Sequence, residues 1–165
     1  MDIIAALKSQ YHASLRVLRL AMTQCPDGVW IGRSDDPAAF WRVSYHTLFF
    51  THMYLSKDEK SFVPWERHRK EAVDLDSGEG SDFAVVPPYT REELLGYWSF
   101  CDGLVDTALM NLDLSAASCG FSWYTMPKLE HQLVNIRHIQ HHAASLSMRL
   151  RLGNGVEVKW VGKGG

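Results

Sequence analysis

The sequence has little of what announces most biochemical functions. Cysteine is scarce: Cys25, Cys101 and Cys119 are the only three, an odd number with no C-x-x-C spacing. That usage argues against a disulfide framework and a thiolate zinc site, and it makes the cytoplasm the expected compartment. Neither charge sign dominates. Seventeen Lys and Arg stand against 19 Asp and Glu, a formal net charge of −2. A basic footprint for nucleic acid or for an anionic membrane is therefore missing. Long apolar runs are missing too. The strongest, at residues 47–55, is interrupted by His52 and is far too short to span a bilayer. The start, Met1-Asp2, lacks the basic residues of a secretory signal. Phosphate-cradling glycine motifs and the G-x-S-x-G nucleophile elbow do not occur.

What remains is an ordinary globular composition, 46% apolar and 22% charged over 165 residues, read here as one domain covering residues 1–165. Histidine and tryptophan stand out, with eight and six copies, and three histidines (His138, His141, His142) fall within five residues.

Four helical patterns follow one another. The first spans about residues 2–24, with Asp2 as cap and Ile3, Leu7, Tyr11, Leu15 and Leu18 at helical spacing. Cys25-Pro26-Asp27-Gly28 reads as the turn that ends it. The second spans about 37–56, capped by Asp35 or Asp36, with Pro37 in its first turn. Its apolar residues cover nearly the whole circumference, as expected of a helix surrounded by others. Residues 57–89 form a long connection containing Gly78-Glu79-Gly80-Ser81 and Pro87-Pro88. Connections of that length either cover a functional site or make a surface excursion. The third helix opens on Thr90-Arg91-Glu92-Glu93, a capping box, and ends near Leu112. The fourth runs from about 125 to 152, with Pro127 in its first turn and Gly153 as its stop. Val156, Val158 and Trp160 then alternate with polar residues, which predicts a short extended tail lying against the helices. The expected fold is all-α: a four-helix bundle with a long crossover between its second and third helices.

His138 and His142 sit four apart, on one helical face and one turn from each other, so both imidazoles can converge on one ion. A helical projection places Leu129, Leu133, Ile136, Ile139, Ala143, Leu146 and Leu150 on the core face. His131, Asn135, His138, His142, Ser145 and Arg149 form a polar column beside it. A border position offers ligands on one side and an open position on the other. A third ligand has to come from another helix, and His46, set among Val43, Phe49, Phe50 and Met53, is the best placed. Judged alone, His46 reads more readily as a hydrogen-bonded core histidine. His52 points away from His46, His141 reads as a neighbour of the site or a surface residue, and His68 reads as solvated. Tyr11, His12 and His131 are candidates for a general base through helical phase alone. Asp102 and Asp106 read as a solvated face, and Phe121, Trp123 and Tyr124 as anchors from loop to core.

Trp41-x4-His46-x-Leu48, Thr90-Arg91-Glu92-Glu93-Leu94-Leu95, His138-x3-His142-Ala143-Ala144-Ser145-Leu146 and the tail Lys159-Trp160-Val161-Gly162-Lys163-Gly164 occur in an order that resembles the DinB/YfiT-like superfamily. The resemblance covers nearly the whole chain. It implies a four-helix bundle with a long crossover and a divalent cation held by His46, His138 and His142. Many members follow the last ligand with R-G-Q, where this chain has Ala143-Ala144-Ser145. Zinc and nickel suit imidazole ligands, and iron is a third choice. The expected function is metal-assisted hydrolysis or thiol transfer on a small molecule, without nucleic acid or membrane. The competing expectation is a non-catalytic module, either a stress-response protein or a dimeric binding module (a homodimer), whose metal site is vestigial.

Overall fold

The first helix, α1 (Ile3–Gln24), starts where Asp2 predicts: the Asp2 carboxylate accepts the Ala5 backbone N–H at 3.0 Å. Leu7, Tyr11, Leu15, Leu18 and Met22 bury its core face. In this computed structural model, residues 2–32, 36–75 and 86–164 are described, and they contain five α-helices and no strand. The described residues are thus all-helical in their regular structure. No helix among the described residues is long and apolar enough to cross a membrane.

The expected turn at residues 25–28 opens a short second helix instead, α2 (Asp27–Ile31). Pro26 has no N–H to lose at a helix start, and Asp27 carries a charge favourable in a first turn. Trp30 is buried from this turn, and its indole N–H donates to the Tyr89 carbonyl at 2.9 Å.

The next helix, α3 (Phe40–Tyr54), begins three residues later than expected. Asp35 lies outside the described residues. The Asp36 carboxylate accepts the Ala38 N–H at 2.8 Å, and its carbonyl accepts the Ala39 N–H at 3.1 Å, so Asp36 makes a turn ahead of the helix rather than its cap. The helix is buried nearly all round, as expected. Ser44, Thr47 and Thr51 tolerate that burial because each hydroxyl donates to the carbonyl one turn back, at 2.9, 2.7 and 2.7 Å.

The connection to the next long helix holds two 3-10 turns, Glu59–Ser61 and Lys70–Ala72. Gly78-Glu79-Gly80-Ser81 lies outside the described residues. The described part folds onto α3: Ala72 and Val73 are buried, and the Arg42 guanidinium donates to the Glu71 carbonyl at 2.8 Å. Helix α4 (Arg91–Asn111) opens with the expected capping box, Thr90 Oγ1 accepting from Glu93 N at 3.1 Å and Glu93 Oε2 from Thr90 N at 2.8 Å. Tyr97 takes the core position, and Trp98 lies beside it with its indole N–H on the Leu15 carbonyl at 2.8 Å.

Phe121 is buried in the loop before the last helix, in a small cluster with Tyr54 and Cys119. Gly120 lets that loop turn. Its φ is +84°, and a Cβ there would stand 2.7 Å from Asp58 Cβ. Gly120→Ala is expected to destabilise the protein by about 2 kcal/mol, from left-handed strain and overpacking together. Thermal unfolding should show it as a Tm lower by about 4–8 °C; an unchanged Tm would mean the loop has another conformation.

Helix α5 (Lys128–Asn154) has Pro127 as its N-cap and ends at Gly155, whose φ of +66° supports the C-terminal turn. Gly153, the expected stop, is helical. The first half of α5 departs from the projection. Leu133 is 49% exposed, while Lys128, His131, Gln132 and Asn135 are buried. The physical reason lies across the helix interface. Gln132 Nε2 donates to the Tyr54 carbonyl at 3.1 Å and Asn135 Nδ2 to the Thr51 carbonyl at 3.2 Å. These carbonyls close the C-terminal end of α3, which needs donors. Buried Tyr11 completes the group, its hydroxyl donating to Gln132 Oε1 at 2.7 Å.

Helices α1 and α3 each pack against both α4 and α5, and α2 packs on α3. One core cluster runs through all four long helices. Residues 155–164 lie along α1 without forming a strand. Gly164 N donates to the Ser9 carbonyl at 2.9 Å, and Ser9 Oγ donates to the Gly164 carbonyl at 3.0 Å. Val156, Val158 and Val161 are half-buried there, while Trp160 is 77% exposed.

Candidate metal centre

The packing of α3 on α5 sets His46 opposite His138 and His142. His138 Nε2 lies 3.1 Å from His46 Nε2 and 3.1 Å from His142 Nε2. Among the described residues these three form the one group of His, Cys, Asp or Glu that could hold a metal ion, each offering one ligand atom. With bonds of about 2.0–2.1 Å, ligand nitrogens around a tetrahedral ion stand roughly 3.3 Å apart, and neighbouring ones around an octahedral ion roughly 2.9 Å. The two 3.1 Å separations at His138 fall between these values, and all three ligand atoms lie within 4.8 Å of one another.

The long connection supplies the next layer. His46 Nδ1 is 2.7 Å from the Val73 carbonyl. A carbonyl can only accept, so the proton sits on Nδ1 and the Nε2 lone pair faces the other two histidines. This is the tautomer a metal ligand needs. Phe50 walls one side, with ring centroids 4.8 Å from His46 and 5.6 Å from His138. All three histidines are half-buried, so the group keeps an open side. A groove of ≈ 530 Å³, lined by Tyr124, Arg137 and His141 among others, reaches His138 along α5.

The electrostatics keep these imidazoles neutral. Burial lowers the pKa of His46, opposed by the Val73 hydrogen bond and the Asp74 charge. Burial, then the neighbouring His142 and His46, push His138 down to about 3. Burial, then His46 and His141, push His142 down to about 4. At neutral pH the cluster therefore presents lone pairs rather than charges, the state in which imidazole binds a cation.

The remaining candidates lie elsewhere. His141 is exposed, its ring edge-on to His142 at 4.9 Å. His52 faces away, as expected, with Nδ1 3.1 Å from the Tyr97 hydroxyl. Of the expected general bases, none contacts the three histidines. Tyr11 is fully buried and its hydroxyl pKa is raised by burial. His131 is fully buried among Tyr54, Phe121 and Tyr124. His12 pairs with Asp102, Nδ1 to Oδ1 at 2.7 Å. That pair corrects the reading of Asp102 and Asp106 as merely solvated. Packing of α1 on α4 sets Asp102 against His12 and brings Asp106 Oδ1 to 3.3 Å from Lys8 Nζ. His68 is likewise not simply solvated. It stacks on Phe49 at 5.0 Å, and its Nδ1 is 2.6 Å from the Tyr45 hydroxyl.

Val73 and Asp74 carried no signal in the sequence, because a backbone carbonyl acquires a partner only through the tertiary fold. Comparison with family models, curated proteins and solved structures returns no match for this chain.

Proposed function

We propose that this protein is a metal-dependent enzyme built on a four-helix bundle of the DinB/YfiT-like kind, with the crossover between α3 and α4. His46, His138 and His142 would hold one divalent cation, zinc or nickel by preference for imidazole, with iron as a third choice. The observation that carries the reading is the convergence of three Nε2 atoms, with His46 oriented by the Val73 carbonyl. A cation so held keeps its full charge, and would polarise a carbonyl or acidify a water or thiol. The chain's own contribution is positional. Val73 fixes one ligand, Phe50 excludes water from one side, and the half-buried rings leave another side free for a small-molecule substrate. Hydrolysis and thiol transfer both suit such a centre.

Protein purified without an affinity tag and reconstituted with zinc or nickel should hold about one equivalent by elemental analysis. Less than about a tenth of an equivalent after reconstitution would remove the enzyme reading. A non-catalytic module with three incidental histidines would then remain.

A further inference from the structure

The three ligand candidates are not equally supported. His46 has its Nδ1 proton on the Val73 carbonyl, whereas His138 Nδ1 is buried with no hydrogen-bond partner. If His138 binds a cation through Nε2, its proton must sit on that Nδ1, because neutral imidazole carries one proton. A buried donor then needs an acceptor.

One acceptor stands three residues earlier on the same helix. Asn135 Oδ1 is also buried and also without a partner. The amide orientation is fixed by its other end. Asn135 Nδ2 meets the Thr51 carbonyl at 3.2 Å, and a carbonyl cannot donate, so the nitrogen is on that side. The oxygen is what remains. Residues three apart on a helix share a face, and side chains lean toward the preceding turn, which carries His138 toward Asn135. An orphan donor and an orphan acceptor thus occupy successive turns beside the three-histidine group.

We infer that Asn135 is a positioning residue: its Oδ1 accepts the His138 Nδ1 proton across one water, and so aims Nε2 at the cation. This rests on the metal-centre reading. Outer partners of this sort orient the ring and typically change metal affinity by about 10–100-fold. Asn135 would do for His138 what the Val73 carbonyl does for His46. The same amide bonds α3 through Thr51, so it ties the ligand on α5 to the helix that carries His46.

The test is zinc affinity by competition with a chromophoric chelator, for wild type, Asn135→Ala and Asn135→Asp. Asn135→Ala should bind zinc about 10–100-fold more weakly. Asn135→Asp keeps an acceptor but loses the amide donor to Thr51. It should hold zinc within about tenfold of wild type, while its metal-free Tm falls with that of the alanine variant. A purely structural role at Thr51 predicts the reverse, with both variants equally impaired in zinc binding. That result, or an alanine variant within about twofold of wild type, would overturn the inference. Wild-type protein that binds no zinc would overturn both this inference and the metal-centre reading. Wild-type binding with an indifferent Asn135→Ala would overturn this one alone. Should Asn135→Ala fail to fold, nitrogen-15 NMR of zinc-loaded wild type decides. A slowly exchanging Nδ1 proton on His138 supports the inference, and zinc bound through Nδ1, or a fast-exchanging proton, ends it.

Discussion

His138→Ala is expected to lower zinc affinity on the order of a thousandfold, so that protein reconstituted at micromolar zinc holds almost none. His138 is the common neighbour, with Nε2 3.1 Å from both other ligand atoms. Structural zinc binding of about 10–16 kcal/mol over four ligands gives each roughly 2.5–4 kcal/mol. At about 1.4 kcal/mol per tenfold, losing one ligand costs two to three decades. The metal-free protein should respond differently. The removed ring is half-buried, carries an unpartnered buried Nδ1, and crowds two other imidazoles. Its loss should move the metal-free Tm by no more than a few degrees, since a modest cavity is offset by the loss of an unsatisfied group. A bland core histidine would give the opposite pair of results: a large fall in Tm and unchanged zinc uptake. His141→Ala is the matched control. Its exposed ring stands edge-on to His142 and offers no atom to the three-histidine group, so zinc affinity should stay within about twofold.

The features that were legible in the sequence are those set by neighbours along the chain. The Asp2 cap of α1 and the Thr90/Glu93 box of α4 each join residues three apart, and both stand where the sequence places them. The His138/His142 pair is equally local. His46 was different, because its apolar arc pointed first to a core histidine, and the order of motifs in the DinB/YfiT-like resemblance singled it out. What escaped depends on partners far along the chain. The apolar projection of α5 put Leu133 inside and His131 and Asn135 at the border, and left Gln132 unplaced. The carbonyls of Thr51 and Tyr54 draw Gln132 and Asn135 inward, rotating the buried face. A moment built on hydrophobicity cannot register a helix end that needs donors. The short α2 was lost for a related reason: Pro26-Asp27-Gly28 starts a turn and a helix with the same residues, and burial of Trp30 against Tyr89 selects the helix.

His131 on that rotated face and His52 on α3 are buried histidines whose charge state governs stability. The metal-free protein should lose about 4 kcal/mol of unfolding free energy between pH 7.5 and pH 5 from His52 and His131 alone. Both are buried. Burial pushes His52 down to about 4. Burial, aided by the Lys128 charge, pushes His131 down to about 4 as well. In the unfolded chain each titrates near 6.5. The folded value is the lower one, so below pH 6.5 the unfolded state binds protons that the folded state refuses. Stability from these groups is complete above about pH 6.5, falls as pH drops toward 4, and levels off below it. At pH 5 each costs about 2 kcal/mol, and a loss of about 4 is a large share of the 5–15 kcal/mol typical of a domain. Other groups also titrate in this window, so the informative quantity is the difference between variants. His131 is packed among Tyr54, Phe121 and Tyr124 with neither ring nitrogen hydrogen-bonded, and phenylalanine suits that box. His131→Phe should flatten the change between pH 7.5 and 5 by about 2 kcal/mol, read from urea unfolding of metal-free protein at both pH values. Parallel pH profiles for variant and wild type would mean that His131 takes up its proton in the folded state, reaching water or an acceptor that the aromatic box excludes.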